Sequence, residues 1–137
     1  MIDKEFVPYE QALELKELGF DEPCIMAYIG KDKQLYSNCD DFLHLNAIDV
    51  LNPLKAPTFS QAFRFFREKY NLRGFIGFRP NVKQFDCHVY DMSLSGEEYV
   101  KQRTMEEYNK DPKVGTYEEA ELACLIKLIQ IIKDGNK

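Results

Sequence analysis

The run LACLIKLIQII, residues 122–132, is broken only by Lys127 and Gln130. Thr116, with Glu119 three residues later, has the spacing of a capping box, which satisfies two backbone N–H groups at a helix start. The segment therefore reads as a helix from Tyr117 to about Lys133. A helix that is apolar on nearly every side cannot rest on a single surface. It is either the central helix of a domain or half of a subunit contact, and the rest of the chain has to supply the surfaces it buries.

The phrase that opens this helix recurs. VPYEQALELK near the start and APTFSQAFRFF at 56–66 also set a breaker, an aromatic, one residue, Gln or Glu, then Ala. Thr58 and Gln61 repeat the capping-box pair, and Pro8 suits a first helical turn because the donor it lacks is not needed there. The phrase marks helix starts and contains no nucleophile or ligand; its aromatic and its Ala are expected in the core. A first helix is predicted from Tyr9 to Leu18, stopped by Gly19. A second is predicted from Phe59 to about Tyr70, with Phe59, Ala62, Phe63, Phe66 and Tyr70 on one stripe. Phe65 falls well off that stripe.

Each of these two helices is followed by a hairpin signal. CIMAYIGKDKQLYS and GFIGFRPNVKQFDCHVYDM both read as strand, polar turn, strand. With Arg79 opposite Gln84, Ile76, Phe78, Phe85, Cys87 and Val89 share one face, and Phe75, Arg79, Asp86, His88 and Tyr90 share the other. In the first hairpin Ile25, Ala27, Ile29 and Leu35 are expected on one side, and Met26, Tyr28 and Tyr36 on the other. The expected fold is α+β, helix–hairpin–helix–hairpin–helix, with an antiparallel sheet packed by helices. Residues 38–57 read as a further short strand or a helical turn. Residues 94–115 read as a polar insertion with a weak helix from about Gly96 to Tyr108. A chain of 137 residues with 45% hydrophobic content, 10 Phe and 8 Tyr is enough for one domain spanning 1–137.

Charge and cysteine usage narrow the function classes. A net charge of −5 argues against a general binder of nucleic acid or anionic membranes. No apolar run approaches 18 residues, and Met1–Glu5 carries no apolar leader core, so a soluble cytoplasmic protein is expected. The cysteines Cys24, Cys39, Cys87 and Cys124 contain no C-x-x-C pair and read as small buried hydrophobes. Cys39, Asp40, Asp41, His44, Cys87 and His88 match no zinc spacing, so neither metal nor cofactor is expected. The common hydrolase, nucleotide-loop and metalloprotease motifs are missing. RGFIGF only approaches the aromatic RNA-binding motif, because Phe75 and Phe78 stand three apart and point to opposite faces of a strand.

Two surfaces remain as candidate sites. Residues 59–83 hold six basic side chains against Glu68 alone. Of these, Arg64, Arg67, Arg73, Arg79 and Lys83, together with Phe65, form a candidate surface for an anionic ligand or an acidic partner. The second candidate is a sheet face bearing Tyr28, Tyr36, Phe75, Asp86, His88 and Tyr90, with Met26, which is too aromatic for a face that only meets water. The third helix is expected to cover it, since its own apolar excess needs a second surface; otherwise a partner does. Asp86, His88 and Tyr90 side by side also suit proton transfer if a substrate lies across them.

The phrases FVPYEQALELKELGFDEPC, APTFSQAFRFFREKY and TYEEAELACLIKLI together resemble a family of small bacteriophage and prophage proteins of Bacteroidetes hosts. The resemblance implies a protein working inside a bacterial cell and transfers no catalytic residue. The expected role is a non-enzymatic factor that binds another protein, host or phage, with self-association through helix 117–133. The alternatives are a binder or hydrolase of a small anionic ligand such as a nucleotide signal, and a virion or assembly component.

Overall fold

A computed structural model describes residues 2–30, 33–37, 53–81, 83–93 and 113–135. The fold is α+β, and it divides into two compact units, Met1–Ala62 and Phe63–Lys137.

In the first unit a short 3-10 turn, Ile2–Glu5, leads to helix α1, Tyr9–Glu17. Strands β1 (Met26–Ile29), β2 (Gln34–Ser37) and β3 (Leu54–Ala56) follow. Pro8 caps α1, with its carbonyl accepting from Ala12 N–H at 2.9 Å. The helix ends in a Schellman arrangement. Gly19, at φ 97°, donates to Lys16, and Phe20 donates to Leu15. That left-handed step is one glycine takes without steric cost. The strands form an antiparallel sheet in the order β2-β1-β3, so the hairpin gains a third strand from the segment whose sequence was ambiguous. Residues 38–52 lie outside the described residues.

The first hairpin corrects the predicted faces. Ile29 pairs with Gln34 and Tyr28 with Leu35, which puts Leu35 beside Tyr28 and Tyr36 beside Ala27. The turn decides this. Gly30 and Lys33 both have positive φ, and Lys33 N–H donates to Gly30 C=O, closing a four-residue loop. One residue more or less in that loop would move every β2 side chain to the other face. Ile25 precedes the strand and is 66% exposed, so it does not belong to the core side.

The first helical turn of α2, Phe59–Tyr70, shows the capping box complete. Gln61 N–H donates to Thr58 Oγ1 at 3.2 Å, and Thr58 N–H donates to Gln61 Oε1 at 3.0 Å. The Gln61 side-chain amide also donates to Pro23 C=O, which ties this turn to the loop after α1. The division between the units falls within α2, and the helix ends at Asn71 in a left-handed conformation. Asparagine tolerates that conformation better than most residues.

The second unit contains β4 (Leu72–Arg79), β5 (Gln84–Asp91), β6 (Lys113–Val114) and helix α3 (Tyr117–Lys133). β4 and β5 pair from Leu72↔Asp91 to Arg79↔Gln84, the register that the alternation on both strands predicts. β6 adds to the free edge of β5, opposite Phe85 and Asp86. Residues 113–114 are thus strand where the sequence predicts a loop, Gly115 is an exposed bend, and 94–112 of the predicted insertion lie outside the described residues. In place of the single expected sheet, the described residues form two three-stranded sheets.

Helix α3 covers the face of Gly74, Cys87 and Val89, not the aromatic face it was expected to cover. A Cβ on Gly74 would stand 2.8 Å from Cys124 Sγ and 3.0 Å from Leu128 Cδ1, so the helix sits directly on the β4 backbone. Cys124 S–H also points to His88 C=O at 3.7 Å. Ala120, Cys124, Leu125, Leu128 and Ile129 form one buried stripe, each large member contributing about 1.5–3 kcal/mol. The helix is not enclosed all round: Ile126 is exposed and Leu122, Ile131 and Ile132 are half-buried. Thr116 caps it by accepting from Glu119 N–H at 3.2 Å. Of the aromatics that follow the three helix starts, Phe59 is buried and Tyr9 half-buried, but Tyr117 is 46% exposed and meets Phe85 edge-on. The three alanines, Ala12, Ala62 and Ala120, are all buried.

Candidate functional site: the aromatic face of the second sheet

The strand register brings Arg73, Phe75, Gly77 and Arg79 of β4 together with Tyr90, His88 and Asp86 of β5 on the face opposite α3. Three rings on it lie nearly parallel. Phe75 stacks on His88 with centroids 4.8 Å apart and on Tyr90 at 5.2 Å, while His88 and Tyr90 stand 6.4 Å apart with planes 10° from parallel. All three are half-buried. The Arg73 guanidinium sits 5.8 Å from the Phe75 ring centroid, a cation over an aromatic face.

Gly77 makes this arrangement possible. It pairs with Asp86, and a Cβ on it would come within 3.1 Å of His88 Nε2. The imidazole therefore leans over a position where any side chain would crowd it. The sequence signal was present in RGFIGF: two glycines three apart on a strand open space on opposite faces, Gly74 for the helix and Gly77 for the imidazole.

The other end of the face is ionic. Arg79 Nε donates to Asp86 Oδ2. The Asp86 side chain is 4% exposed and that of Arg79 48%. Asp86 Oδ1 is buried and has no hydrogen-bond partner among the described residues. A buried acceptor left unsatisfied costs about 1–3 kcal/mol, so the face holds a carboxylate that is only half matched.

The other predicted site residues are distributed differently. Tyr28 and Tyr36 belong to the first sheet and lie on its opposite faces. Tyr28 donates to Val7 C=O at 2.7 Å and meets Tyr9 edge-on. Phe65 is not part of an exposed basic strip. It is 8% exposed, packed edge-on against Phe66 and Tyr70, with Lys69 Nζ 5.5 Å above it. The reason is that α2 buries a wider arc than its first stripe. Arg64, Arg67, Arg73, Arg79 and Lys83 all lie toward solvent.

Metal binding fits no group of side chains among the described residues. Cys87 and His88 are consecutive on β5 and so face opposite sides of the sheet; Cys39, Asp40, Asp41 and His44 lie outside the described residues. In the first unit, a cleft of about 220 Å³ is lined by Ala12, Phe20, Leu54 and the exposed Asp21–Lys55 pair at 2.9 Å. The Lys55 ammonium holds the Asp21 carboxyl below its usual range. An exposed pair of this kind is worth little, and the other charged side chain lining the cleft, Lys16, adds only a second cation.

Cys24, Cys87 and Cys124 are buried thiols. Burial pushes Cys24 from 9.0 to about 11, and a hydrogen bond with Cys87 followed by burial pushes Cys124 upward as well. Both raised values protect the neutral form. That stability is complete below the unfolded-state value and is lost as pH rises through the folded one. Denaturant midpoints should therefore fall between pH 9 and about 11, and Cys24→Ala should fall less steeply than the parent over that window. An identical slope in the variant would show that Cys24 makes no such contribution.

No helix among the described residues is long and apolar enough to cross a membrane. Comparison with family models, with curated proteins and with solved structures gave no match.

Proposed function

We propose that this protein is a non-enzymatic binding factor whose recognition surface is the aromatic face of β4 and β5, and that it acts inside a bacterial host cell on a host or phage component. The observation that supports the reading is the row of near-parallel, half-exposed rings Phe75, His88 and Tyr90 with an arginine toward each end. Aromatic residues and arginine are the side chains that dominate recognition energetics, because they give large contact area and directed charge at low conformational cost. A purely structural face would not need Arg73 exposed beside such rings. The phage resemblance supplies the cellular setting.

The test compares the parent chain with a Phe75→Ser/Tyr90→Ser variant, both recovered from phage-infected cells and both checked by circular dichroism for an intact fold. Native mass spectrometry of the parent should show a bound species, small or large, that the variant lacks. The same set of bound species on both chains would remove the face from the mechanism.

A further inference from the structure

The polar end of the aromatic face carries more information than its rings. Gly77, Arg79, Asp86 and His88 meet there: Asp86 is paired across the strands with Gly77, the His88 ring leans over Gly77, and Arg79 holds Asp86. Each polar group is only partly engaged. Asp86 uses Oδ2 and leaves Oδ1 without a donor among the described residues. Arg79 uses Nε, which leaves its two amino groups with no hydrogen bond among the described residues, on a side chain half in solvent. A guanidinium has five N–H donors and grips oxyanions through pairs of them. A carboxylate oxygen accepts and cannot donate.

We propose that this end of the face binds a mononucleotide, with the phosphate on the Arg79 amino groups, the base against the Phe75–His88–Tyr90 rings, and a base N–H donated to Asp86 Oδ1. The inference rests on the reading of this face as the recognition surface. Three features favour this ligand class. Flat heterocycles stack on aromatic side chains whatever the base identity, since every base has a π-face. Asp86 opposes a bare anion, so inorganic phosphate alone is a poor ligand; a ligand that also brings an N–H donor turns the same carboxylate into a contact. A net charge of −5 works against a long polyanion and much less against one phosphate group. Oδ1 is out of solvent in the free protein, so binding requires Arg79, half exposed and tethered to Asp86 only through Nε, to swing toward the phosphate and uncover it.

The experiment is isothermal titration of the full chain with the four 5′-ribonucleoside monophosphates, the corresponding nucleosides, inorganic phosphate, and a single-stranded oligonucleotide. At least one monophosphate should bind, with its nucleoside and inorganic phosphate each weaker by roughly tenfold or more. Arg79→Lys should weaken it by roughly tenfold, because an ammonium lacks the paired donors. Phe75→Leu keeps the apolar volume but removes the ring and should also weaken it. Asp86→Asn should change the ranking of the four bases, which a merely structural role would not do. Both the arginine and phenylalanine variants are conservative enough to fold, and thermal melts verify that they do. Binding of no monophosphate overturns the inference, as does binding that both variants leave unchanged. Tighter, strongly salt-dependent binding of the oligonucleotide also overturns it and assigns the face to nucleic acid. If no monophosphate binds but the Phe75→Ser/Tyr90→Ser variant still loses its cellular species, the ligand class fails and the recognition face stands.

Discussion

Arg79→Ala should lower the stability of the fold by about 3 kcal/mol, the largest effect expected from any single exposed side chain here. The reason lies in its partner. Asp86 is almost wholly out of solvent, and Arg79 Nε is its hydrogen-bond partner among the described residues. Removing the arginine leaves neither carboxylate oxygen of Asp86 with a donor among the described residues. Breaking a buried pair from one side typically costs about 3–5 kcal/mol; the lower end applies because the Arg79 side chain is 48% exposed and its charge is already partly screened. The reverse deletion should be much milder. Asp86→Ala removes the buried charge itself, and Arg79 returns to water with little loss. The cost is then that of a small cavity, about 1 kcal/mol. Urea denaturation of the two single variants and the double variant checks this. The double variant should resemble Asp86→Ala, so that Arg79→Ala is harmless once the carboxylate is gone. Equal losses in both single variants would mean that Asp86 is not effectively desolvated.

The contrast between the two hairpins shows what could be read from the sequence. Alternation across Phe75–Arg79 and Gln84–Tyr90 agrees on both strands, so hydrophobic pattern alone fixes that register and places Phe75, Arg79, Asp86, His88 and Tyr90 on one face. In the first hairpin the strands have only four residues, and parity depends on a loop closed by Gly30 and Lys33 at positive φ. A lysine gives no warning that it will adopt that conformation, and Leu35 and Tyr36 exchange faces in consequence. The third strands were equally hard to see. β6 is two residues long and β3 three, lengths at which pairing to an existing edge, rather than local preference, makes a strand. The apolar excess of α3 shows that it must be covered but not by which face, because the choice depends on fit. An aromatic face invites a greasy helix, but the His88 ring already fills the space over Gly77 there, whereas Gly74 on the opposite face lets Cys124 approach the backbone. The ring contacts of Arg73 and the room made by Gly77 depend on tertiary geometry and left only the spacing of two glycines as a trace.

That fit leads to the second large expectation. Gly74→Ala should destabilise the second unit by about 2–3 kcal/mol, although alanine is ordinarily no worse than glycine in a strand. The backbone at Gly74 has no positive φ to protect, so the whole effect comes from the space above it. A new methyl group would stand 2.8 Å from Cys124 Sγ and 3.0 Å from Leu128 Cδ1. Leu128 can give way by turning the end of a flexible side chain. The Cys124 sulfur is less free, fully buried and hydrogen-bonded with Cys87. Cys124→Ala deletes that sulfur and should cost about 1 kcal/mol alone through the void it leaves. In the Gly74→Ala/Cys124→Ala variant the added methyl occupies part of that void, and the loss should be smaller than the sum of the single losses by about 1–2 kcal/mol. Strict additivity would place α3 somewhere other than directly over Gly74. The aromatic face would then have no claim to be the side of this sheet left for recognition, because its exposure follows from the helix being held on the other side by this one close approach.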